Sequence, residues 1–233
     1  MLSHSHIGII IPSGGSGTRF GSTMLKQYLE VGGLPVILHS VRTALSLQGV
    51  ETIVIAAQQS QHDVLSAMIH DGGLADPRIH FVQGGAERQE SVYNALQHAS
   101  IHATRIVAIH DAVRPFASAA LWGSVLESAE RYGAAIPVLP VSDTIKDVLD
   151  DVVVNTVDRT SLRRAQTPQA FTTDIVRHAY STARANGVVA TDCASLCEQM
   201  GVRVHCVPGE DHNIKFTTTF DATLAEAILM RNQ

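Results

Sequence analysis

A chain of 233 residues with 45% apolar and 17% charged side chains can bury one sizeable α/β core, and its formal charge of −5 offers no basic face to a nucleic acid. No apolar run approaches the roughly 18 to 20 residues of a membrane span, and no secretory signal is visible, so a soluble, cytoplasmic protein without membrane partners is expected. Cys193, Cys197 and Cys206 lack Cys-x-x-Cys spacing, which argues against a disulfide framework or structural zinc and predicts buried free thiols. The twelve histidines are scattered, and His4 and His6 sit in a terminal tail, so they suggest no metal centre.

The first apolar run, Ile7-Gly8-Ile9-Ile10-Ile11-Pro12, reads as a buried strand that breaks into Ser13-Gly14-Gly15-Ser16-Gly17-Thr18-Arg19 and reaches Lys26-Gln27-Tyr28. Glycines without Cβ let backbone N–H groups converge on an anion, and Arg19 and Lys26 add positive charge. The segment therefore suits a nucleoside triphosphate. Other glycine motifs fit poorly. A P-loop needs Gly-Lys-Ser/Thr, whereas Gly17 is followed by Thr18-Arg19; the dinucleotide fingerprint fails because Gly21 falls one place late after Gly15 and Gly17. A nucleophile elbow on Ser16 would need glycine where Thr18 stands.

Further apolar runs at 52–57, 79–82, 105–110 and 134–141 alternate with helix-length segments near 35–47, 60–70, 88–99 and 118–131. Continuous rather than alternating hydrophobicity implies strands covered on both faces. The expected fold is α/β, a doubly wound, mostly parallel, Rossmann-like sheet in a single domain, 1–233. Residues 141–164 differ, with partial alternation on either side of Asp150-Asp151. Two strands joined by a turn are predicted there, either projecting as an arm or forming an ordinary edge hairpin. A lone hairpin is marginal in water, so the arm needs the body or another subunit to pack against. Helices are expected near 171–186, 192–200 and 220–230, with a strand near 202–207.

Ligands of parallel α/β sheets bind outside the carboxyl ends of the strands, and three segments follow strands directly. They are Ser13 to Lys26, then Gly84-Gly85-Ala86-Glu87-Arg88 running into Ser91, then His110-Asp111-Ala112-Val113-Arg114-Pro115. Asp111, at a strand end, is suited to Mg²⁺, a hard cation that takes one or two carboxylates with phosphate oxygens; a helix cap or a salt bridge with Arg114 is the alternative. A phosphate cradle, cations, a metal carboxylate and further cations for a second anion meet the needs of phosphoryl or nucleotidyl transfer. Such transfer depends on positioning and charge stabilisation and requires no side-chain nucleophile.

Taken in order, Pro12 to Arg19 with Lys26-Gln27-Tyr28, Gly84-Gly85 with Arg88 and Ser91, and His110 to Pro115 resemble the 2-C-methyl-D-erythritol 4-phosphate cytidylyltransferase family. Thr156-Val157-Asp158-Arg159, Gln166-Thr167-Pro168-Gln169, Thr191-Asp192 and Asn213-Ile214-Lys215 extend that resemblance along nearly the whole chain. It implies a nucleotidyltransferase-type fold and reaction of CTP with methylerythritol phosphate, giving the cytidine-diphospho product and pyrophosphate in non-mevalonate isoprenoid synthesis, with Mg²⁺ as cofactor. The resemblance assigns CTP to Pro12, Ser13, Gly14, Gly15, Ser16, Gly17 and Thr18, together with Gly84, Gly85, Arg88, Ser91, Asp111 and Ala112. Asp111 would approach the metal. Arg19 and Lys26 would stabilise charge at the α-phosphate, and Arg159 and Lys215 would orient the attacking phosphate oxygen. Arg114, Thr144, Thr167 and Thr191 would complete the acceptor pocket. The family exchanges the arm across a homodimer, so Thr144 and Arg159 would serve the partner's site.

Five positions depart from the family pattern: Ser13 and Gly14 stand where alanines are usual, Leu25 where proline is, and Cys193 where an acidic residue is. His212 precedes Asn213 where an acidic or small residue is usual. A cytidylyltransferase for another polyol phosphate, such as ribitol 5-phosphate, shares the glycine loop and His-Asp-x-x-Arg-Pro. Val157-Asp158-Arg159 with Ala165-Gln166-Thr167-Pro168 favours the methylerythritol enzyme. A dinucleotide-dependent oxidoreductase would fit the fold but not the glycine spacing, and a non-catalytic nucleotide-binding protein would bind CTP without releasing pyrophosphate.

Overall fold

The computed structural model describes residues 6–14 and 25–231; the expected phosphate-loop residues Gly15, Ser16, Gly17, Thr18 and Arg19 lie outside the described residues. The chain begins with β1 (Ile7–Pro12), a small hairpin of β2 (Glu30–Val31) and β3 (Leu34–Pro35), α1 (Val36–Ser46), β4 (Val50–Ala57), α2 (His62–Asp71) and β5 (Ile79–Gln83). It continues with α3 (Arg88–Leu96), α4 (Ala99–His102), β6 (Ile106–Ile109), α5 (Ala119–Tyr132) and β7 (Ala134–Pro140). Helix α5 starts where the Ser118 side chain accepts from the Leu121 amide, and it stops at Gly133, whose φ of +90° few other residues adopt.

After β7 come β8 (Ile145–Leu149), β9 (Val152–Val157), β10 (Arg163–Ala165) and β11 (Gln169–Thr172). Then follow α6 (Thr173–Ala185), α7 (Cys193–Gln199), β12 (His205–Pro208) and α8 (Thr219–Arg231). The main sheet has the hydrogen-bonded order β10-β7-β11-β6-β1-β4-β5, with β12 also on β7. β1, β4, β5 and β6 run parallel. β10 and β11 are antiparallel insertions, which the sequence reading missed because each is only three or four residues long and lies between turn-rich segments. They pair with β7 in succession, Arg163 opposite Pro140 and Phe171 opposite Ala134. Arg163 and Arg164, counted above with the arm, thus belong to the main sheet.

Strand alternation splits the core into two layers. Ile7, Ile9 and Ile11 pack with Ile37, Leu65 and Trp122 on the face covered by α1, α2 and α5. Ile10, Val54, Val107 and Phe171 pack with Val92, Tyr180 and Leu196 on the face covered by α3, α6 and α7. The parallel strands are therefore apolar on both faces, as the unbroken Ile-Ile-Ile run predicts. A third cluster, around Val36, Val113, Phe216 and Ala225, seats α8.

β8 and β9 form a separate two-stranded sheet. Leu149 pairs with Val152 across a two-residue turn in which Asp150 and Asp151 have φ of 48° and 62°. Both turn positions need left-handed backbone, which aspartate tolerates better than most residues. The expectation of three buried thiols holds for Cys193 and Cys197 and fails for Cys206, which is exposed. Among the described residues β12 pairs only with β7; His205 stacks on Tyr132 and Val207 joins the α5-side core, leaving Cys206 exposed.

Candidate active site

The carboxyl ends of β1, β4, β5 and β6 bring the expected nucleotide segments together. The Ser13 amide continues the ladder by donating to the Ala56 carbonyl at 2.7 Å, and the Gly84 amide donates to the Ala57 carbonyl at 2.7 Å. A Cβ on Gly84 would lie 3.1 Å from the Ala57 carbonyl carbon, and one on Gly14 would lie 3.0 Å from Ser91 Oγ. Gly14, the Gly84-Gly85 backbone and Ser91 thus meet at close range, which glycine permits. Ser91 Oγ accepts from the Gly85 amide at 3.0 Å and donates to the Glu87 carbonyl, fixing that loop on the first turn of α3.

Lys26 opens a short 3-10 turn, Lys26–Tyr28. The Gln27 side chain donates to the Ser13 carbonyl at 3.0 Å, tying this turn to the end of β1. Leu25 has φ −66°, an angle that a proline ring would also adopt.

Asp111, two residues beyond the buried end of β6, is the electrostatic centre. Its Oδ1 receives Arg88 Nε at 2.8 Å; its Oδ2 receives Lys215 Nζ at 2.8 Å and stands 4.0 Å from Arg114 Nε. Burial alone would raise this carboxyl, but Arg88 and Lys215 outweigh burial and hold it well below the usual carboxylate range. One anion among three cations leaves a local positive excess, poised for an incoming anionic ligand. Burial also lowers Arg114, with Asp111 acting against that shift and Arg88 adding to it.

The backbone carrying Asp111 is held from behind by His110. His110 Nε2–H donates to the Arg114 carbonyl at 2.9 Å, leaving Nδ1 to accept from the Thr167 hydroxyl at 3.1 Å, while Thr167 Oγ1 accepts from the Asp111 amide at 3.1 Å. This directional chain fixes the tautomer. Burial, the dominant cause, pushes the His110 pKa down to about 4, so the ring is neutral near pH 7. Asn213 donates to the Thr167 carbonyl and accepts Arg114 Nη1 on its own carbonyl at 2.8 Å, bringing the Asn213-Ile214-Lys215 segment to the site.

Two hollows meet at Asp111 and share Arg88 and Lys215. One is bounded by Pro12, Ser13, Gly14, Lys26, Ser91 and Ala112; the other is bounded by Arg114, Gln166, Thr167, Thr191 and Asp192. The structure thus gathers every expected site residue in the described range around one cleft except Thr144 and Arg159. Those two lie at the exposed base of the arm, where Arg159 Nη1 donates to the Ser142 carbonyl, and neither lines either hollow. Cys193 is fully buried, its Sγ receiving Arg88 Nη1 at 3.3 Å and the Tyr180 hydroxyl at 3.2 Å. His212 pairs with Glu210 at 3.2 Å outside both hollows. Gln89 and Tyr180 carried no sequence signal, whereas Gln166 and Gln169 were visible only as parts of a motif without a role.

No group of three or more metal-ligating side chains occurs among the described residues. Both oxygens of Asp111 are engaged, Oδ1 by Arg88 and Oδ2 by Lys215, so a divalent cation held here would draw most of its oxygens from water and substrate.

Residues 7–231 match the family model described as IspD: 2-C-methyl-D-erythritol 4-phosphate cytidylyltransferase. A protein of that name from Symbiobacterium thermophilum is 43% identical over 226 residues, covering 96% of this chain and 92% of the relative. One from Bacillus mycoides is 39% identical, covering 95% and 96%. The crystal structure of the 4-diphosphocytidyl-2C-methyl-D-erythritol synthase from Anaerococcus prevotii superposes with a TM-score of 0.84 at 30% identity, covering 98% of this chain and 97% of that one.

Proposed function

We propose, from the premise that this chain belongs to the 2-C-methyl-D-erythritol 4-phosphate cytidylyltransferase family, that the two hollows divide the reaction between a CTP half and an acceptor half. The enzyme is a nucleotidyltransferase that joins CTP to 2-C-methyl-D-erythritol 4-phosphate, releasing pyrophosphate, in non-mevalonate isoprenoid synthesis. The observation carrying the division is the Asp111 cluster, whose Arg88 and Lys215 face both hollows.

In this reading Pro12, Ser13, Gly14, Ser91 and Ala112 hold the nucleotide, with Gly84 and Gly85 behind them. The segment Gly15 to Thr18 would complete the phosphate cradle. Lys26 and Arg19 stabilise charge as the α-phosphate becomes pentacoordinate and pyrophosphate leaves. Lys215 and Arg114 hold the acceptor phosphate so that one of its oxygens attacks in line, with Thr167 and Thr191 on the same wall. Asp111 would supply the protein oxygen for Mg²⁺, which when bound neutralises triphosphate charge.

Thr144 and Arg159 complete the acceptor half from a second copy of the chain. Val148, Leu149, Val152, Val153 and Val154 of the arm are 52% to 66% exposed, an apolar patch of the kind that marks an interface. A two-fold homodimer with exchanged arms would cover it. No described helix is long and apolar enough to cross a membrane, and three free thiols suit the reducing cytoplasm.

The test is pyrophosphate release from CTP and Mg²⁺ with methylerythritol phosphate and ribitol 5-phosphate in parallel. Turnover is expected with the first acceptor alone, and Lys26→Ala should lower kcat on the order of 10² to 10³-fold, as for loss of other charge-stabilising donors. Turnover with ribitol 5-phosphate alone would reassign the acceptor half, and an unimpaired Lys26→Ala would remove its catalytic role.

A further inference from the structure

The acceptor wall bearing Thr191 has no regular structure from Val188 to Asp192, yet side-chain amides grip it at both ends. From α3, Gln89 Nε2 donates to the Val188 carbonyl at 2.9 Å and Gln89 Oε1 accepts from the Ala190 amide at 2.9 Å. One glutamine thus forms a two-point ladder with an otherwise irregular strand of chain. From β11, the buried Gln169 side chain accepts from the Cys193 and Ala194 amides at 3.1 and 3.2 Å and donates to Asp192 Oδ2 at 2.8 Å. Asp192 Oδ1 in turn accepts from the Ser195 amide at 3.0 Å.

The first three amides of α7 are therefore all engaged, and none is left to bind a phosphate, the usual service of a helix start. Recognition on this wall falls to side chains, and the position of Thr191 depends on what holds residues 188–194. Gln89 adjoins Arg88, whose guanidinium reaches both Asp111 and Cys193, so the same turn of α3 that serves the nucleotide half also anchors the acceptor wall.

We propose that Gln89 and Gln169 are positioning residues for the acceptor, holding the Thr191 wall at the distance that fits a branched polyol phosphate while leaving the CTP half untouched. This rests on the two-half reading above. A polar wall held by directional bonds discriminates among polyols more sharply than an apolar one, because a misplaced hydroxyl leaves buried groups unpaired.

The decisive variant is Gln89→Leu, since Gln89 is only half-buried and its loss spares the core. Losing both bonds should raise the acceptor KM about tenfold, while the CTP KM changes less than about twofold. Gln89→Glu keeps an acceptor for the Ala190 amide but sets a carboxylate oxygen against the Val188 carbonyl, so it should not rescue the acceptor KM. Amide exchange at Ala190 should quicken in Gln89→Leu. Acceptor affinity is also read by calorimetry with methylerythritol phosphate and a non-hydrolysable CTP analogue, so the ratio of variant to wild type can be judged without turnover. A wild type that binds the acceptor but releases no pyrophosphate sinks the catalytic reading alone. Equal shifts in both KM values, or faster exchange at Ala190 with no change in acceptor KM or affinity, overturn the positioning role. A wild type that does not bind the acceptor overturns both.

Discussion

The body and the arm use the same β-branched vocabulary to opposite ends. In β1 the residues Ile9, Ile10 and Ile11 have no exposed surface, because helices cover the sheet on both sides. In β8 and β9, Val148, Leu149 and Val152 to Val154 are more than half exposed, and the hairpin forms its own two-stranded sheet. A β-branched run therefore specifies a strand in either place, but what covers the strand is decided elsewhere in the chain, or in another chain. The cleft divides along the same line. The hollow lined by Pro12, Ser13, Gly14 and Ala112 is assembled at strand ends of the body, whereas Thr144 and Arg159 stand apart from it on the arm.

Three measurements would break or sharpen this contrast. The largest effect is expected in the body, where Phe171→Ala should remove about 3 to 5 kcal/mol of unfolding free energy in a denaturant titration, because the ring is fully enclosed between β6, β7 and the α6 layer. A loss below about 1 kcal/mol would mean that the two-layer core is loosely packed there.

Next comes pH. The His110 pKa is depressed to about 4 from 6.5, so its contribution is fully present above pH 6.5 and is lost as the pH falls towards 4, where the unfolded chain takes up a proton that the folded chain refuses. That loss is of order 3 kcal/mol. Asp111, depressed well below its ordinary value, contributes its own loss only below about pH 4. Stability against pH should therefore slope between pH 6.5 and 4 in the wild type and slope less steeply in His110→Gln, where His39 and His98, also lowered by burial, still contribute. Parallel curves would refute a neutral, buried His110.

The smallest effect on folding belongs to the arm. Val153→Asp should change the stability of the isolated protomer by less than about 0.5 kcal/mol, as surface substitutions do, while sedimentation shows dimer giving way to monomer. A variant that stays dimeric with full turnover would detach the arm from the assembly proposed above.

The elements best read from sequence were those with a single strong pattern. Continuous apolar runs predicted β1, β4 and β6, and the Asp150-Asp151 pair marked the turn of the hairpin. β10 and β11 escaped because three or four residues show no period, and pairing with β7 defines them only in three dimensions. The site was legible where chemistry is local, as in Gly14, Arg88, Asp111 and Lys215. It was illegible where the site is held by contacts across the fold: Gln89 meets Val188 and Ala190, and Tyr180 meets Cys193, at separations that no motif noted above spans. Cys193, noted as a departure from the family, could not reveal from sequence that its sulfur would lie against Arg88.

Pro140 and Arg163, which bracket the arm, are themselves partners across the β7–β10 ladder. The arm thus leaves and re-enters the body at one point, like an insertion spliced into the tip of a hairpin that would close without it. Lengthening, exchanging or deleting it changes a loop whose ends are already pinned together, so the entropic penalty grows only slowly with its length. A body of this design can accommodate changes in the arm's length or sequence without redesign of the sheet.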